Sequence, residues 1–124
     1  MHKSRQRDVV LQFVENSHEH PSAEEVFLGV KRKMPEIARG TIYRNLNQLQ
    51  KVGKVQALRV ANTTRFDNAS KHAHLVCINC HKIMDVQMPE IKVPRHADFT
   101  IQNVKLDFNG LCKECYEVNK NGML

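Results

Sequence analysis

The 124-residue chain contains no Trp, and its aromatic side chains are five Phe and two Tyr. Large aromatic anchors, which bury roughly 150–250 Å² each, are therefore scarce. No stretch approaches the roughly 18 apolar residues of a membrane-spanning helix, which excludes a helical integral membrane protein. No basic-then-apolar leader opens the chain, so a cytoplasmic protein is expected. Internal repeats and low-complexity runs are missing, which removes solenoids and repetitive tails. The His-Glu-x-x-His pattern of many metal-dependent hydrolases does not occur.

What remains is short and unevenly charged. The length suits one domain or two very small ones, and a unit of about 60 residues needs a metal or a partner subunit to supplement its core. Net charge is +6, and residues 1–65 hold all of it, with 12 Lys/Arg against 6 Asp/Glu; residues 66–124 balance at 7 and 7. That asymmetry fits a polyanion partner for the first half, although ordinary solvated cations would give the same count.

Apolar Val9, Val10, Phe13 and Val14 recur at helical spacing over 5–15. Ser22 and Glu25 form a Ser-x-x-Glu capping box for a second helix over 22–33, with Val26, Phe27, Val30 and Met34 on one face. Ile42, Leu46, Leu49 and Val52 stripe a third helix over 39–52, and Gly53 suits its C-terminal cap. Val55–Val60 reads as a strand, Asn62–Thr64 as a turn, and Arg65-Phe66 as the start of a returning strand. Three helices and a hairpin are the order of a winged helix-turn-helix. Beyond it, 74–78, 82–86 and 101–108 read as strands; Pro89 and Pro94 leave little room for a helix between the last two, and a short helix fits 112–120. The predicted fold is α+β: a winged-helix domain over 1–66, then a small α/β domain over 67–124.

Two clusters carry metal chemistry. Cys77-x-x-Cys80 and Cys112-x-x-Cys115 are two knuckles 31 residues apart, and they account for every cysteine. Each tight turn presents two thiolates, and four thiolates suit a structural zinc ion; the other readings are a redox pair or buried unligated thiols. His72 and His74 share a strand face by alternation, next to the first knuckle. Asp67 precedes them, Asp85 lies on the paired strand, and His20 sits before the second helix. Nitrogen and carboxylate ligands suit iron(II), manganese(II) or zinc(II), and geometry must choose among them. His2, His18, His81 and His96 have no such company and read as surface residues.

The third helix offers Arg39, Thr41, Tyr43, Arg44, Asn45 and Gln48 near its N-terminus, where recognition helices meet base edges. Arg suits guanine, and Asn or Gln suits adenine. The alternative is a merely solvated polar face on a helix that packs a core.

The segments His20-Pro-Ser-Ala-Glu-Glu25, Gly40-Thr-Ile-Tyr-Arg-Asn-Leu46, His72-Ala-His74-Leu-Val-Cys77-x-x-Cys80-x-Lys82-Ile-x-Asp85 and Cys112-Lys-Glu-Cys115 together resemble the ferric uptake regulator family, in the same order over about 5–117. The resemblance implies a homodimeric, metal-dependent transcription repressor on double-stranded operator DNA, with no enzymatic activity and no small-molecule substrate. It places Cys77, Cys80, Cys112 and Cys115 on structural zinc. It places His20, Asp67, His72, His74 and Asp85 on a regulatory iron(II) or manganese(II), with zinc(II) able to substitute in vitro.

Within the family, zinc-uptake regulators usually place a Cys in the regulatory site, and many iron-uptake members have Glu at the place of Asp85. Three His with two Asp look most like the peroxide-sensing branch, in which iron(II) reacts with peroxide and a ligand histidine is oxidised; His20 and His72 match the susceptible positions. Tyr43-Arg44 is more similar to iron-uptake members, so the operator stays open. Three departures stand out: most of the extra N-terminal helix of many members is missing, the segment between Asp85 and Cys112 is short, and Ala73, Asn103 and Val104 replace residues of an auxiliary metal site, which is not expected here. Two rivals remain from other classes. A metal-dependent hydrolase would need an open coordination position and a substrate cleft. An unregulated zinc-ribbon module would bind DNA identically without His72 or Asp85.

Overall fold

The computed structural model describes residues 2–69 and 72–120. It divides into two units, Met1–Ser70 and Lys71–Leu124. No helix among the described residues is long and apolar enough to cross a membrane.

The first unit comprises α1 (His2–Asn16), α2 (Ala23–Lys31), α3 (Arg39–Lys51), β1 (Val55–Val60) and β2 (Thr63–Asn68). The capping box forms as expected: Ser22 Oγ accepts from the Glu25 N–H at 3.2 Å, and Glu25 Oε1 accepts from the Ser22 N–H at 3.0 Å. At the end of α3, Gly53 takes φ +75°, its N–H reaching the Gln50 carbonyl while Lys54 N–H reaches that of Leu49. This paired closure satisfies two orphan carbonyls and needs a residue tolerant of the left-handed region. Val10 and Val14 of α1, Val26 and Val30 of α2, and Ile42, Leu46 and Leu49 of α3 close over Val55, Ala57 and Phe66 of the hairpin.

The hairpin differs from the sequence expectation at its turn. Ala61 and Asn62 carry φ +50° and +66°, the two-residue turn whose twist matches antiparallel strands. β2 therefore begins at Thr63, and the register pairs Val60 with Thr63 and Gln56 with Asp67. Asp67 lies on β2 of the first unit, not with the second unit as its place in the sequence suggested.

The second unit comprises β3 (His72–Cys77), β4 (Ile83–Gln87), β5 (Asp107–Gly110) and α4 (Lys113–Lys120). The sheet order is β4-β3-β5, with β4 antiparallel and β5 parallel to β3. The strand expected over 101–108 is confined to 107–110. Parallel register sets Asp107 opposite His74, so residues before 105 would lie beyond the start of β3 and have no ladder to join. Apolar burial here is slight: among the described residues, Ala73 and Val76 are the buried aliphatic side chains, accompanied by Cys77 and Cys115.

Candidate metal centres and nucleic-acid face

The second unit replaces a core with sulfur. Cys77 ends β3, Cys80 follows in the turn to β4, and Cys112 and Cys115 flank the first turn of α4. One ligand atom from each lies within 4.8 Å of all the others, and Cys80 Sγ stands 3.7 Å from Cys112 Sγ. A disulfide needs about 2.05 Å. A tetrahedron with zinc–sulfur bonds of about 2.3 Å has edges of about 3.8 Å, so the spacing fits zinc. Backbone N–H groups of Cys112, Cys80 and Asn79 draw the Cys77 thiol down to about 5. Cys112 goes to about 12: the Cys115 amide favours its thiolate, but burial and the neighbouring Cys115, Cys80 and Glu114 side chains outweigh it. Sulfurs this close resist joint ionisation unless a cation sits among them. Asn79 Nδ2 donates to Cys115 Sγ at 3.3 Å, a contact that stabilises thiolate charge.

The face of the same sheet holds a second cluster. The ladder places Asp85, His74 and Asp107 side by side across β4, β3 and β5. His72 Nε2 and His74 Nε2 are 3.2 Å apart, and Asp85 Oδ1 is 3.7 Å from the first and 3.6 Å from the second. Ligand atoms on metal–nitrogen bonds of about 2.1 Å stand about 3.0 Å apart in an octahedron and about 3.4 Å in a tetrahedron. The triangle is thus close to the size for one ion, and two His with one carboxylate on a face is a donor set that suits iron(II). On the far side of the ring, His74 Nδ1 meets Asp107 Oδ1 at 3.1 Å.

In the first unit, His20 Nε2 and Asp67 Oδ2 are 3.2 Å apart, both side chains nearly inaccessible. His20 adopts φ +53°, an uncommon conformation for a non-glycine residue that its surroundings must hold in place. They do: Arg65 Nη1 donates to the His20 carbonyl at 3.1 Å, and Phe66 N–H donates to the Pro21 carbonyl at 2.8 Å. Asp67 Oδ1 accepts the Asn68 N–H at 2.8 Å. A loop and a strand thereby fix one imidazole and one carboxylate together.

On α3 the structure sorts the expected contacts. Gly40, Tyr43, Arg44, Asn47, Gln48 and Lys51 lie along the exposed face, with Thr41 half-buried beside them. Arg44 Nη2 donates to Thr41 Oγ1 at 3.2 Å, and Arg7 of α1 adds a cation by donating to Gln48 Oε1 at 3.3 Å. One expected residue is turned inward, and another, though exposed, is engaged within the unit. Asn45 is buried with Ile42 and Leu46, because it follows them round the helix to the inner face. Arg39 grips both oxygens of Glu24 at 2.9–3.2 Å and stacks 4.6 Å over the Phe27 ring, locking the start of α3 to α2. The Arg39 hydrogen bond also holds the Glu24 carboxyl below its usual range.

Residues 1–119 match the sequence profile of the ferric uptake regulator family. The chain belongs to that family. It is 34% identical over 119 residues to the peroxide-responsive repressor PerR of Staphylococcus epidermidis, covering 90% of this chain and 79% of that one. Among solved structures it superposes on the Campylobacter jejuni peroxide stress regulator with a TM-score of 0.71 and 26% identity, covering 92% of this chain and 91% of that one. The ferric uptake regulator of Helicobacter pylori, described as having three functional metal-binding sites, also gives 0.71, at 25% identity over 90% of this chain and 82% of that one.

Against this family frame, the sequence reading missed Asp107. No spacing rule links it to His74, because the parallel pairing that joins them spans a segment without regular structure. Two outcomes test the sites. Replacing Cys112 with Ser should lower both zinc retention and melting temperature, since metal binding here contributes folding free energy; a variant that loses zinc yet melts like the parent would contradict a structural site. Arg44→Ala should weaken operator binding by about 1–3 kcal/mol, measured by fluorescence anisotropy at fixed salt, with the melting temperature unchanged. Equal affinity of parent and variant for operator and random duplex would remove α3 from the interface.

Proposed function

We propose that the chain is a cytoplasmic, metal-responsive transcriptional repressor that reports iron or manganese together with peroxide. What carries this reading is the set of donors within each unit: the His72, His74 and Asp85 triangle in one, the His20 and Asp67 pair in the other. In this proposal all five hold one regulatory iron(II) or manganese(II), which zinc(II) can replace in vitro, while the four cysteines hold structural zinc. The relatives support it, since the Staphylococcus epidermidis protein is a peroxide-responsive repressor and the Campylobacter jejuni protein a peroxide stress regulator.

Donors on both units give the switch its physical basis. A ligand set split between a DNA-binding unit and a metal-binding unit is complete only in arrangements that bring both halves together. Metal then favours those arrangements over the rest, and DNA affinity follows. Iron(II) held there would supply electrons to peroxide, a reactivity that manganese(II) lacks. By their match to the susceptible positions of the peroxide-sensing branch, His20 and His72 are the side chains that would be oxidised, and an oxidised imidazole is a poorer donor.

DNA binding is assigned to the basic first unit, with Arg44, Tyr43, Gln48 and Thr41 of α3 toward a double-stranded operator. A homodimer would present two such helices to two half-sites. The sheet face opposite the histidines supports it: Met84, Leu75 and Phe108 pair across the three strands and are 51%, 37% and 44% exposed. An apolar row of this kind suits a second copy of the chain.

The test uses zinc-loaded protein with iron(II) or manganese(II) added to the regulatory site. Peroxide should add one oxygen to His20 or His72 of the iron form and release operator DNA, and should leave the manganese form bound. Release with both histidines unmodified by peptide mass spectrometry would reject histidine oxidation, and an inert iron form would favour a plain metal-level regulator. His20→Ala should retain weakened metal binding, yet lose most of the metal-stimulated DNA affinity, up to about a hundredfold. His74→Ala should lose metal and stimulation together.

A further inference from the structure

His74 is 1% exposed and lies between two carboxylates that sit opposite it on neighbouring strands, Asp85 on β4 and Asp107 on β5. The two are not equivalent. Asp85 is on the side of the ring that faces His72, 3.6 Å from His74 Nε2, and its side chain is 49% exposed. Asp107 is behind, 3.1 Å from Nδ1 and 26% exposed. An ionised carboxylate only accepts hydrogen bonds, so the contact with Asp107 requires Nδ1 to carry the hydrogen. In a neutral imidazole that leaves Nε2 as the lone-pair nitrogen, and Nε2 is the atom turned toward His72 Nε2 and Asp85 Oδ1.

We propose that Asp107 is a positioning residue for the regulatory metal: by accepting the Nδ1–H of His74 it fixes that ring's tautomer and orientation, and so prepares Nε2 to bind a divalent cation. The proposal rests on the reading of His72, His74 and Asp85 as ligands. It depends on the register of β5 against β3, since a shift of one residue would turn the Asp107 side chain to the opposite face of the sheet. A carboxylate behind a ligating imidazole also increases its donor strength, and loss of such a partner typically weakens metal binding about 10–100-fold. β5 continues to Gly110, two residues before Cys112, so the zinc knuckle and the Asp107 contact are held by one short strand and its exit.

The test compares the parent with Asp107→Asn and Asp107→Glu, all with the cysteine site filled by zinc. Long-range proton–nitrogen NMR of the histidine rings, with no metal at the regulatory site and the imidazoles neutral, reads the tautomer directly. The parent should carry the His74 hydrogen on Nδ1. Asp107→Asn should lose that preference and bind manganese(II) about 10–100-fold more weakly, at unchanged zinc content and melting temperature. Asp107→Glu should restore the Nδ1–H form and most of the affinity. A parent with the hydrogen on Nε2, or an Asp107→Asn protein with parental manganese(II) affinity, would overturn the assignment. A parent that binds no manganese(II) would defeat the ligand reading, whereas an Nδ1–H tautomer lost in Asp107→Asn would still support the Asp107 contact.

Discussion

Four clustered cysteine sulfurs are the strongest tie the second unit offers. The two buried aliphatic side chains among its described residues cannot offset the entropy of ordering some fifty residues, so this half of the chain requires a stronger tie than hydrophobic burial. Cys77 and Cys80 fix the end of β3 and its turn, while Cys112 and Cys115 fix the exit of β5 and the start of α4. Zinc in that tetrahedron would lock the three-stranded sheet, and everything displayed on the sheet depends on it. A loosened knuckle would free β5, take Asp107 from behind His74, and disperse the triangle of His72, His74 and Asp85.

The first unit is built on the opposite principle. It has a continuous apolar core drawn from all three helices and the hairpin, which leaves its polar features available for function. Arg39 and Glu24 tie the start of α3 to α2 at the surface, and the exposed stripe from Gly40 to Lys51 carries no acidic residue. His20 in its left-handed conformation, pinned by Arg65 against β2, is a residue through which the proposed regulatory metal would reach this unit. The proposed switch joins these two solutions: a unit with its own apolar core that would bind DNA, and a unit tied at its cysteine cluster that would present most of a second metal site.

Local features were legible in the sequence because their physics is local. A Ser-x-x-Glu box, a Cys-x-x-Cys turn, the alternation of His72 and His74, and the stripe of Ile42, Leu46 and Leu49 on α3 each need only neighbouring residues to make sense, although Val52, expected in that stripe, caps the helix and is 68% exposed. Register was harder. The turn at Ala61-Asn62 has no glycine to announce it, so β2 was read two residues late and Asp67 was set in the wrong unit. Asp107 depends on a parallel pairing across residues 88–106, which no periodicity reveals. Asn45 looked like a base-reading side chain by type, but helical geometry turns it inward. Arg39 stays exposed, and its carboxylate and ring partners on α2 lie too far away in the sequence for spacing to announce them.

The central claim is that one regulatory ion couples the two units to DNA, and linkage makes that claim reciprocal: if metal tightens DNA binding, DNA must tighten metal binding by the same factor. The direct measurement is a manganese(II) titration of zinc-loaded protein, by calorimetry, in the absence and presence of saturating operator duplex. The account predicts tighter manganese(II) binding with DNA, by a factor equal to the metal-induced gain in DNA affinity and of the order of 5–150-fold. Identical manganese(II) affinity with and without operator would contradict it, whatever the strength of either binding alone.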